Sequence, residues 1–525
     1  MNKKSGLLTF FKRLAHKASN KQTASQPVIP HYPDSFLRIA ILEGGGIGDA
    51  VLQLVYIKEI RKMFQKPVII DFYIRPYKAF EQVPFIDHCF PYDPTFQAKD
   101  SYDVYMQAVR CYHILKIDHE KTKAFSPDFY RFCADQLSLT EKHFKRTQAN
   151  LFNQYALLFG KNRVEQGDVH SILGITRHTP TYLTWDENAF SILDETGLTN
   201  TPYITLCRAV DEKYGENHPK LWPLEHYKEL IKLLKANYPH IKLVQIGSKA
   251  TPALLEGVDI NLTGKTNLEQ SKVLLKYALL HIDGEGGLVH TRHNLNGKSA
   301  VLFGPTSAEV FAYQDNINFR RPTCPVACDW VSGAWMQGCL RGISPAPCMQ
   351  AITPQAVFTR IKQYLDERVD YRMERPSSNG AFALENTPGQ QIAFIGRPDN
   401  SYQTYIAQGH TVCIYDTDLD LPTADFPQNC LYAHAVKQQG ATAEYATFYN
   451  IPAADNKFDV VYCDRLERAT HPIYALQEML RILKPGGTLW LGANTTLAPI
   501  IFRTETVLVS PQLQKLSKTE VPTHG

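Results

Sequence analysis

Short apolar runs, each followed by a glycine-containing turn, recur along most of the chain, a pattern typical of parallel α/β sheets. The run at residues 37–42 predicts a buried strand, which leads into the turn at 43–49, Glu-Gly-Gly-Gly-Ile-Gly-Asp. Apolar residues then recur at helical spacing over residues 51–63, and the run at 68–74 predicts a second strand. Strand, glycine turn, helix and strand in this order predict a first α/β domain over residues 36–190.

The same pattern begins again near residue 203 and predicts a second α/β domain over residues 191–370. Its predicted strands lie at 203–206, 241–246, 279–282 and 299–303, and its predicted helices at 224–237, 268–277 and 354–368. A polar stretch with prolines, serines and glycines, 371–391, predicts a linker. Strand patterns beyond it predict a third α/β unit over residues 392–500, followed by a tail at 501–525.

Length and composition restrict the class of protein. A single core rarely grows beyond about 250–300 residues, so a chain of 525 residues predicts two or three domains. With 44% hydrophobic and 21% charged residues, the chain is not expected to be disordered. The net charge of +4, from 56 basic and 52 acidic residues, is too even a balance to argue for nucleic acid as a partner. No apolar run approaches the roughly 20 residues of a membrane span, which predicts a soluble protein.

The first 35 residues form a basic segment with apolar residues at helical spacing from Leu7 to Leu14. Lys12 and Arg13 interrupt the apolar run, which argues against a signal peptide, and the 11 cysteines favour a reducing cytoplasm. A basic amphipathic helix can lie on the inner face of the cytoplasmic membrane. The alternative is a frayed terminus with some helix propensity.

The glycine turn carries the first candidate chemistry. Gly46 and Gly48 allow a ligand to approach the backbone closely, at the N-terminus of a predicted helix. Asp49 in the first turn of this helix is either a helix cap or a carboxylate that removes a proton from an attacking hydroxyl. Because the turn is not Gly-x-Gly-x-x-Gly, a plain dinucleotide site is a poor fit.

The second domain has polar and glycine residues at predicted strand ends and helix starts. These candidate donor-site residues are Cys207, Arg208, Lys220, Glu285, Gly286, Gly287 and His290. The carboxyl ends of parallel strands meet at one edge of a sheet, where helix N-termini attract anions. The pattern therefore predicts a crevice that binds a phosphorylated ligand.

Four motifs follow one another between residues 37 and 370. They are Gly46-Ile47-Gly48-Asp49, Lys220-x-Trp222-Pro223, a Gly-Gly-Leu-x-His run that ends at His290, and Phe303-Gly304-Pro305-Thr306. Their order resembles bacterial glycosyltransferase family 9, which includes the ADP-heptose:lipopolysaccharide heptosyltransferases. The resemblance implies a GT-B fold, in which two Rossmann-like domains face each other across a cleft, with the acceptor in the first and the donor in the second. It also implies an inverting enzyme that transfers a sugar, heptose in the best-known members, from a nucleoside diphosphate donor.

The resemblance assigns roles to individual residues. Asp49 resembles the general base of the family, and Lys220 the cation that neutralises the donor phosphates. Gly286, Gly287 and His290 match the turn and helix start that hold the diphosphate. Glycosyl transfer of this kind requires no cofactor. The expected partners are ADP-heptose or a similar donor, and a lipopolysaccharide or other glycan, lipid-linked or protein acceptor. The family usually has Asp-Thr-Gly where this chain has Glu285-Gly286-Gly287, which bears on the identity of the donor sugar.

Four cysteines lie within 25 residues in a loop that is rich in proline and glycine. They are Cys324, Cys328, Cys339 and Cys348. Four thiolates around zinc or iron would stabilise a loop with little core of its own. The alternatives are a cluster of buried thiols or a disulfide pair.

The third unit resembles a class I S-adenosylmethionine methyltransferase. The matching segments are Asn450-Ile451-Pro452, Phe458-Asp459-Val460-Val461 and the run from Arg481 to Gly487. Asp416 is in the right place to hold the ribose of the cofactor, but the cofactor loop has one glycine, Gly396, followed by Arg397 and Pro398. Only 34 residues follow Leu491, too few for the usual last helix and strand pair. We therefore expect a degenerate domain. For the protein as a whole, the alternatives to a glycosyltransferase are a bifunctional glycosyltransferase and methyltransferase, and a non-catalytic scaffold for glycan assembly.

Overall fold

The central strand of the first sheet is β1 (Leu37–Glu43), in which every residue except Arg38 is buried. The glycine turn follows, and then helix α1 (Ile47–Arg61). The other elements of this domain are β2 (Val68–Ile74), β3 (His88–Pro91), β4 (Val104–Ala108), β5 (Tyr112–Ile117), α2 (His119–Phe125), α3 (Pro127–Lys142), α4 (Ala149–Leu158) and α5 (Ser191–Glu195). The strand order is β3-β2-β1-β4-β5, and β5 alone of these strands is antiparallel to its neighbour.

The structure is a computed structural model, and it describes a large part of the chain. The described residues are 33–81, 83–93, 99–142, 149–177, 179, 183–199, 201–208, 218–248, 255–369, 389–396, 402–417, 439–463, 466–492, 506–510 and 513–517. The predicted amphipathic segment, most of the predicted linker, and Arg397 and Pro398 lie outside these residues.

The second domain is built on a six-stranded parallel sheet with the order β11-β10-β9-β6-β7-β8. Its strands are β6 (Tyr203–Leu206), β7 (Lys242–Gln245), β8 (Ile260–Asn261), β9 (Leu280–Gly284), β10 (Ser299–Phe303) and β11 (Ile317–Arg320). Its helices are α6 (Leu224–Asn237), α7 (Leu268–Tyr277), α8 (Gly287–Asn294), α9 (Ala308–Phe311), α10 (Pro347–Gln350) and α11 (Pro354–Val369). Asn267 and Gln270 form a capping box that fixes the start of α7.

The third domain has seven strands in the order β14-β13-β12-β15-β16-β18-β17. Its elements are β12 (Gln391–Ile395), α12 (Tyr402–Ala407), β13 (Thr411–Asp416), β14 (Thr442–Tyr445), β15 (Phe458–Cys463), α13 (Pro472–Ile482), β16 (Leu483–Gly492), β17 (Thr506–Ser510) and β18 (Leu513–Ser517). Strand β18 pairs antiparallel with β16 and with β17. A last strand pair therefore does form within the 34 residues that follow Leu491, because β17 and β18 extend the sheet to Ser517.

The third domain contacts both of the others. Glu444 in β14 forms ion pairs of 3.0 Å with Lys58 and with Lys62, both near the end of α1. Asn450 is completely buried, and its Nδ2 donates to the carbonyl oxygen of Asn294 (3.2 Å), the last residue of α8. The third domain therefore holds the C-terminal ends of the two helices whose N-terminal ends form the site described below.

None of the helices in the described part of the chain combines the length and apolar character needed to cross a membrane.

Candidate active site between the first two domains

Helices α1 and α8 meet at their N-terminal ends, one from each of the first two domains. A Cβ atom added to Gly48 would lie 2.8 Å from Cδ2 of His290 and 3.1 Å from the Cα of Gly287. A Cβ atom added to Gly287 would lie 2.5 Å from Cγ2 of Ile47. Glycine at both positions is thus a condition for the close approach of the two domains. Gly46 and Gly286 precede the helices in extended backbone.

Asp49 lies in the first turn of α1 and faces two arginines. Its Oδ1 accepts hydrogen bonds from Nη1 of Arg110 (3.1 Å) and Nη2 of Arg163 (2.8 Å). Burial opposes ionisation of this carboxyl, but the two guanidinium groups hold its pKa well below the usual range. Asp49 is therefore a carboxylate at neutral pH. Among the described residues, no hydrogen bond to its Oδ2 is formed.

A second carboxyl group, Glu43, lies beside Asp49 at the end of β1. It is 4% exposed, its Oε1 accepts the Gly45 N–H (2.7 Å), and its Oε2 accepts a hydrogen bond from Nε2 of Gln53 (3.3 Å). Burial and the neighbouring Asp49 charge raise the pKa of Glu43 to about 7. The sequence analysis missed this residue, although a glutamate that directly follows an apolar strand run is a visible signal.

Lys220 lies on the donor side, beside Glu285. Its Nζ is 2.5 Å from Oε2 of Glu285 and 3.1 Å from the Glu285 carbonyl oxygen. The ammonium group also lies 5.5 Å from the ring centroid of Trp335. Although burial opposes it, Lys220 and His290 hold the pKa of Glu285 well below its usual range. The predicted phosphate-binding cation is therefore paired with a carboxylate.

His290 connects the two sides of the site. Its Nε2 is 3.5 Å from Oε1 of Glu285, and its Nδ1 shares a hydrogen bond of 2.7 Å with the hydroxyl of Tyr313. The imidazole is also close enough to Asp49 to act electrostatically on that carboxylate. The structure thus brings Asp49, His290, Glu285 and Lys220 into one continuous group.

Two other predicted donor-site residues support the turn that carries Lys220. Arg208 donates from Nε to the carbonyl oxygen of Trp222 (3.0 Å), two residues after Lys220. Cys207 is buried, and its carbonyl oxygen accepts a hydrogen bond from the hydroxyl of Tyr227 (2.8 Å). These contacts join the end of β6 to the turn before α6 and to the first turn of α6 itself.

The four cysteines of the proline-rich loop are free thiols at half-buried positions. Burial and the neighbouring thiols raise the pKa of Cys328 and raise that of Cys348 to about 11. Among the described residues, no group of three or more His, Cys, Asp or Glu side chains is arranged to hold a metal ion. A zinc or iron site at these cysteines therefore stays a prediction.

In the third domain, Gly396 and Asp416 lie at the carboxyl ends of neighbouring parallel strands, β12 and β13. Gly396 has a φ of +114°, a conformation that favours glycine, and its N–H donates to the carbonyl oxygen of Tyr415 (2.8 Å). Asp416 is 2% exposed. These positions suit a nucleoside-containing cofactor, which would be held at this edge of the sheet.

Two family models match the sequence. The model of glycosyltransferase family 9 (heptosyltransferase) matches residues 142–322, and a methyltransferase domain model matches residues 408–491. A comparison with curated proteins gives no match.

Solved structures similar to this chain include E. coli ADP-heptose lipopolysaccharide heptosyltransferase II, with 17% identity, coverage of 63% of this chain and 99% of that one, and a TM-score of 0.42. The iron-containing dodecameric glycosyltransferase TibC from enterotoxigenic E. coli has 12% identity, coverage of 66% and 84%, and a TM-score of 0.41. A protein described as an S-adenosyl-L-methionine-dependent methyltransferase from Methanococcus maripaludis has 15% identity, coverage of 27% and 83%, and a TM-score of 0.22.

The two family matches confirm the resemblances that the motifs predict: residues 142–322 match the model of glycosyltransferase family 9 (heptosyltransferase), and residues 408–491 match the model of a methyltransferase domain.

Proposed function

We propose that this protein is an inverting glycosyltransferase that moves a heptose or a closely related sugar from an ADP-linked donor to a hydroxyl group of a cell-surface glycan. The observation that carries the proposal is the continuous group formed by Asp49, His290, Glu285 and Lys220 where the two domains meet. An anionic base on one side and a cation on the other suit a reaction in which a hydroxyl loses a proton while a diphosphate gains charge.

On the acceptor side, Asp49 receives the proton. The acceptor oxygen attacks the anomeric carbon from the face opposite the diphosphate, and its proton passes to Oδ2 of Asp49. Both arginines contact Oδ1, which leaves Oδ2 for the acceptor. Arg110 has 21% of its side chain exposed and Arg163 only 4%, so Arg110 is the group that a bound acceptor displaces more easily. Its displacement raises the pKa of Asp49 and makes the carboxylate a better base.

On the donor side, Lys220 offsets the charge of the leaving group. The bond between the anomeric carbon and the phosphate oxygen breaks, and its electron pair leaves with the nucleoside diphosphate. Lys220 exchanges its contact with Glu285 for one with the phosphates, and Glu285 keeps His290 as its cationic or hydrogen-bonding neighbour. The peptide N–H groups at the N-terminus of α8 also stabilise the negative charge of the leaving diphosphate.

Thermal stabilisation by nucleotides tests this proposal. ADP-, GDP-, UDP- and CMP-linked sugars are added to the full-length protein, and the midpoint of unfolding is recorded for each. A ligand at 100 times its dissociation constant adds about 2.7 kcal/mol to the free energy of unfolding. We expect ADP-linked sugars to stabilise the wild type and to stabilise Lys220→Ala much less, with Lys265→Ala as the control for an exposed lysine in the same domain. Stabilisation by none of the nucleotides would overturn the proposal.

The third domain supports a second activity, the transfer of a methyl group from S-adenosylmethionine. The observation that favours it is the complete seven-stranded sheet, with Gly396 and Asp416 at adjacent strand ends. Titration calorimetry of S-adenosylmethionine against the full-length protein tests it, with Asp416→Asn as the matched variant. Binding that is lost in the variant supports a bifunctional enzyme, and no heat at millimolar ligand supports a degenerate domain.

We also propose that the protein works in the cytoplasm, at the inner face of the membrane, through its basic N-terminal segment. The charge and helical spacing of residues 1–35 support this placement. Sedimentation with vesicles of phosphatidylglycerol and of phosphatidylcholine compares anionic and neutral surfaces. Binding to the anionic vesicles alone is expected, and it should be absent after deletion of residues 1–32.

A further inference from the structure

The cysteine-containing loop contributes two residues to the surroundings of Lys220. Asp329 lies in a short turn, Cys328–Trp330, and its N–H donates to the carbonyl oxygen of Pro305 (3.3 Å), just after the end of β10. Trp335 lies in the next turn of the loop, with its ring beside the Lys220 ammonium. The loop therefore reaches the carboxyl edge of the donor-domain sheet.

The side chain of Asp329 is buried with no side-chain partner. The residue is 4% exposed, and neither of its carboxylate oxygens forms a hydrogen bond of good geometry, although the backbone N–H groups of Ser307 and of Asp329 itself are close enough to favour its ionised form. Lys220 and Glu285 are both close enough to act on its charge. Thr306 comes directly after Pro305, whose carbonyl oxygen accepts the Asp329 N–H. Thr306 is 3% exposed, and its hydroxyl group also lacks a hydrogen-bonding partner. Buried polar groups are almost always hydrogen-bonded, so two such groups beside one site indicate that a ligand completes them.

The charges around Asp329 restrict which part of a donor can contact it. A diphosphate in direct contact with Asp329 would be repelled by this carboxylate. Hydroxyl groups, in contrast, donate hydrogen bonds to a carboxylate, and two neighbouring hydroxyls can use both of its oxygens. A metal ion is not supported, since the described residues include no group of three or more side chains arranged to hold one.

We propose that Asp329 is a specificity-determining residue of the donor site, and that its carboxylate accepts hydrogen bonds from hydroxyl groups of the sugar that is transferred. This proposal rests on the function proposed above. It gives the cysteine-containing loop a direct role in recognising the donor, in addition to its position over Lys220.

The test compares a donor with its sugar-free product. Titration calorimetry measures the binding of ADP-heptose and of ADP to wild type, Asp329→Ala and Asp329→Asn, with Asp315→Asn as the control for an exposed aspartate of the same domain. Hydrogen bonds to a charged group correspond to about a 10- to 100-fold effect on affinity. We expect Asp329→Ala to lower the affinity for ADP-heptose by this factor and to change the affinity for ADP by less than about twofold. The variant should not lower the unfolding temperature, because it removes a buried charge that has no side-chain partner.

Three results would count against the proposal. If Asp329→Ala lowers the affinities for ADP and ADP-heptose equally, Asp329 contacts the nucleotide and not the sugar. If neither affinity changes, Asp329 contacts no part of the donor. The third result is a wild type that binds ADP and all ADP-linked sugars, including ADP-heptose, with the same affinity. The sugar would then make no contact that contributes to binding. Failure of the wild type to bind any nucleotide is a separate outcome, which overturns the proposed function together with this assignment.

Discussion

Arg163 joins Asp49 to the donor domain. Its Nη2 lies 2.8 Å from Oδ1 of Asp49, and its backbone N–H donates to the carbonyl oxygen of Val310 (2.8 Å) in the donor domain. The candidate base is thus held by a residue that is itself fixed to the opposite side of the cleft. A change in the separation of the two domains therefore changes the position of the charge nearest to the base.

The second arginine, Arg110, should control the pH dependence of transfer. Asp49 acts as a base only when it is ionised, and the arginines lower its pKa. Arg110→Gln raises that pKa toward its usual value, so the acid limb of the kcat/KM profile should move up by about one pH unit. Arg131→Gln, at an exposed ion pair with Asp128, is the control. An unchanged profile for Arg110→Gln would mean that Asp49 is not the group that titrates in transfer.

Gly48 should be required for the contact between α1 and α8. Gly48→Ala places a methyl group 2.8 Å from His290 and should cost about 1–3 kcal/mol of unfolding free energy, or force the domains apart. Gly46→Ala is the matched control, because nothing lies within 4 Å of a Cβ at that position. Denaturant unfolding measures the free energy of unfolding of the two variants. Equal behaviour would show that the helices do not approach as described.

Glu43 should make the stability of the protein depend on pH. Its pKa is raised in the folded state, so the stabilisation from its protonated form is complete below its ordinary pKa of 4.5 and is lost as the pH rises through about 7. Glu43→Gln keeps a neutral side chain at all pH values. The free energy of unfolding of Glu43→Gln, measured relative to that of the wild type, should therefore rise by on the order of 2–3 kcal/mol between pH 4.5 and pH 8. Melting curves at both pH values measure this difference, and a constant difference would exclude a raised pKa.

Glu444 should stabilise the contact between the third domain and α1. Glu444→Ala leaves Lys58, which is fully buried, without this partner, and breaking a buried pair costs about 3–5 kcal/mol. Glu256→Ala, which breaks an exposed pair with Lys228, should change the free energy of unfolding far less. Denaturant unfolding measures both. A small loss in Glu444→Ala would indicate that the third domain is only loosely attached.

Local patterns were sufficient for much of the fold and for half of the site. The strand, glycine turn and helix around Asp49 can be predicted from residues that are close together in the sequence, because the hydrophobic pattern of a strand or helix repeats over a few positions. The partners of Asp49 are not, since Arg110 is 61 and Arg163 is 114 positions away along the chain. No motif surrounds either arginine, so only the tertiary fold reveals them.

The same distinction applies to Lys220 and to the third domain. Lys220 was found by its motif, whereas its pairing with Glu285, 65 positions away, depends on how β9 lies against the turn before α6. Strands β17 and β18 were missed because the sequence analysis judged the remaining length against a complete methyltransferase. A short antiparallel pair at a sheet edge needs few residues, and β18 pairs directly with β16.

Rapid-quench measurement of a single turnover in Asp49→Asn tests the central claim most directly. The variant keeps the size of the side chain but cannot accept the proton, so sugar transfer from ADP-heptose should fall by about 100- to 10,000-fold. Its affinity for ADP-heptose should stay within about twofold of wild type, because Lys220 and α8 remain, and Asp34→Asn should match wild type in both. Transfer at the wild-type rate in Asp49→Asn would contradict the assignment of Asp49 as the base.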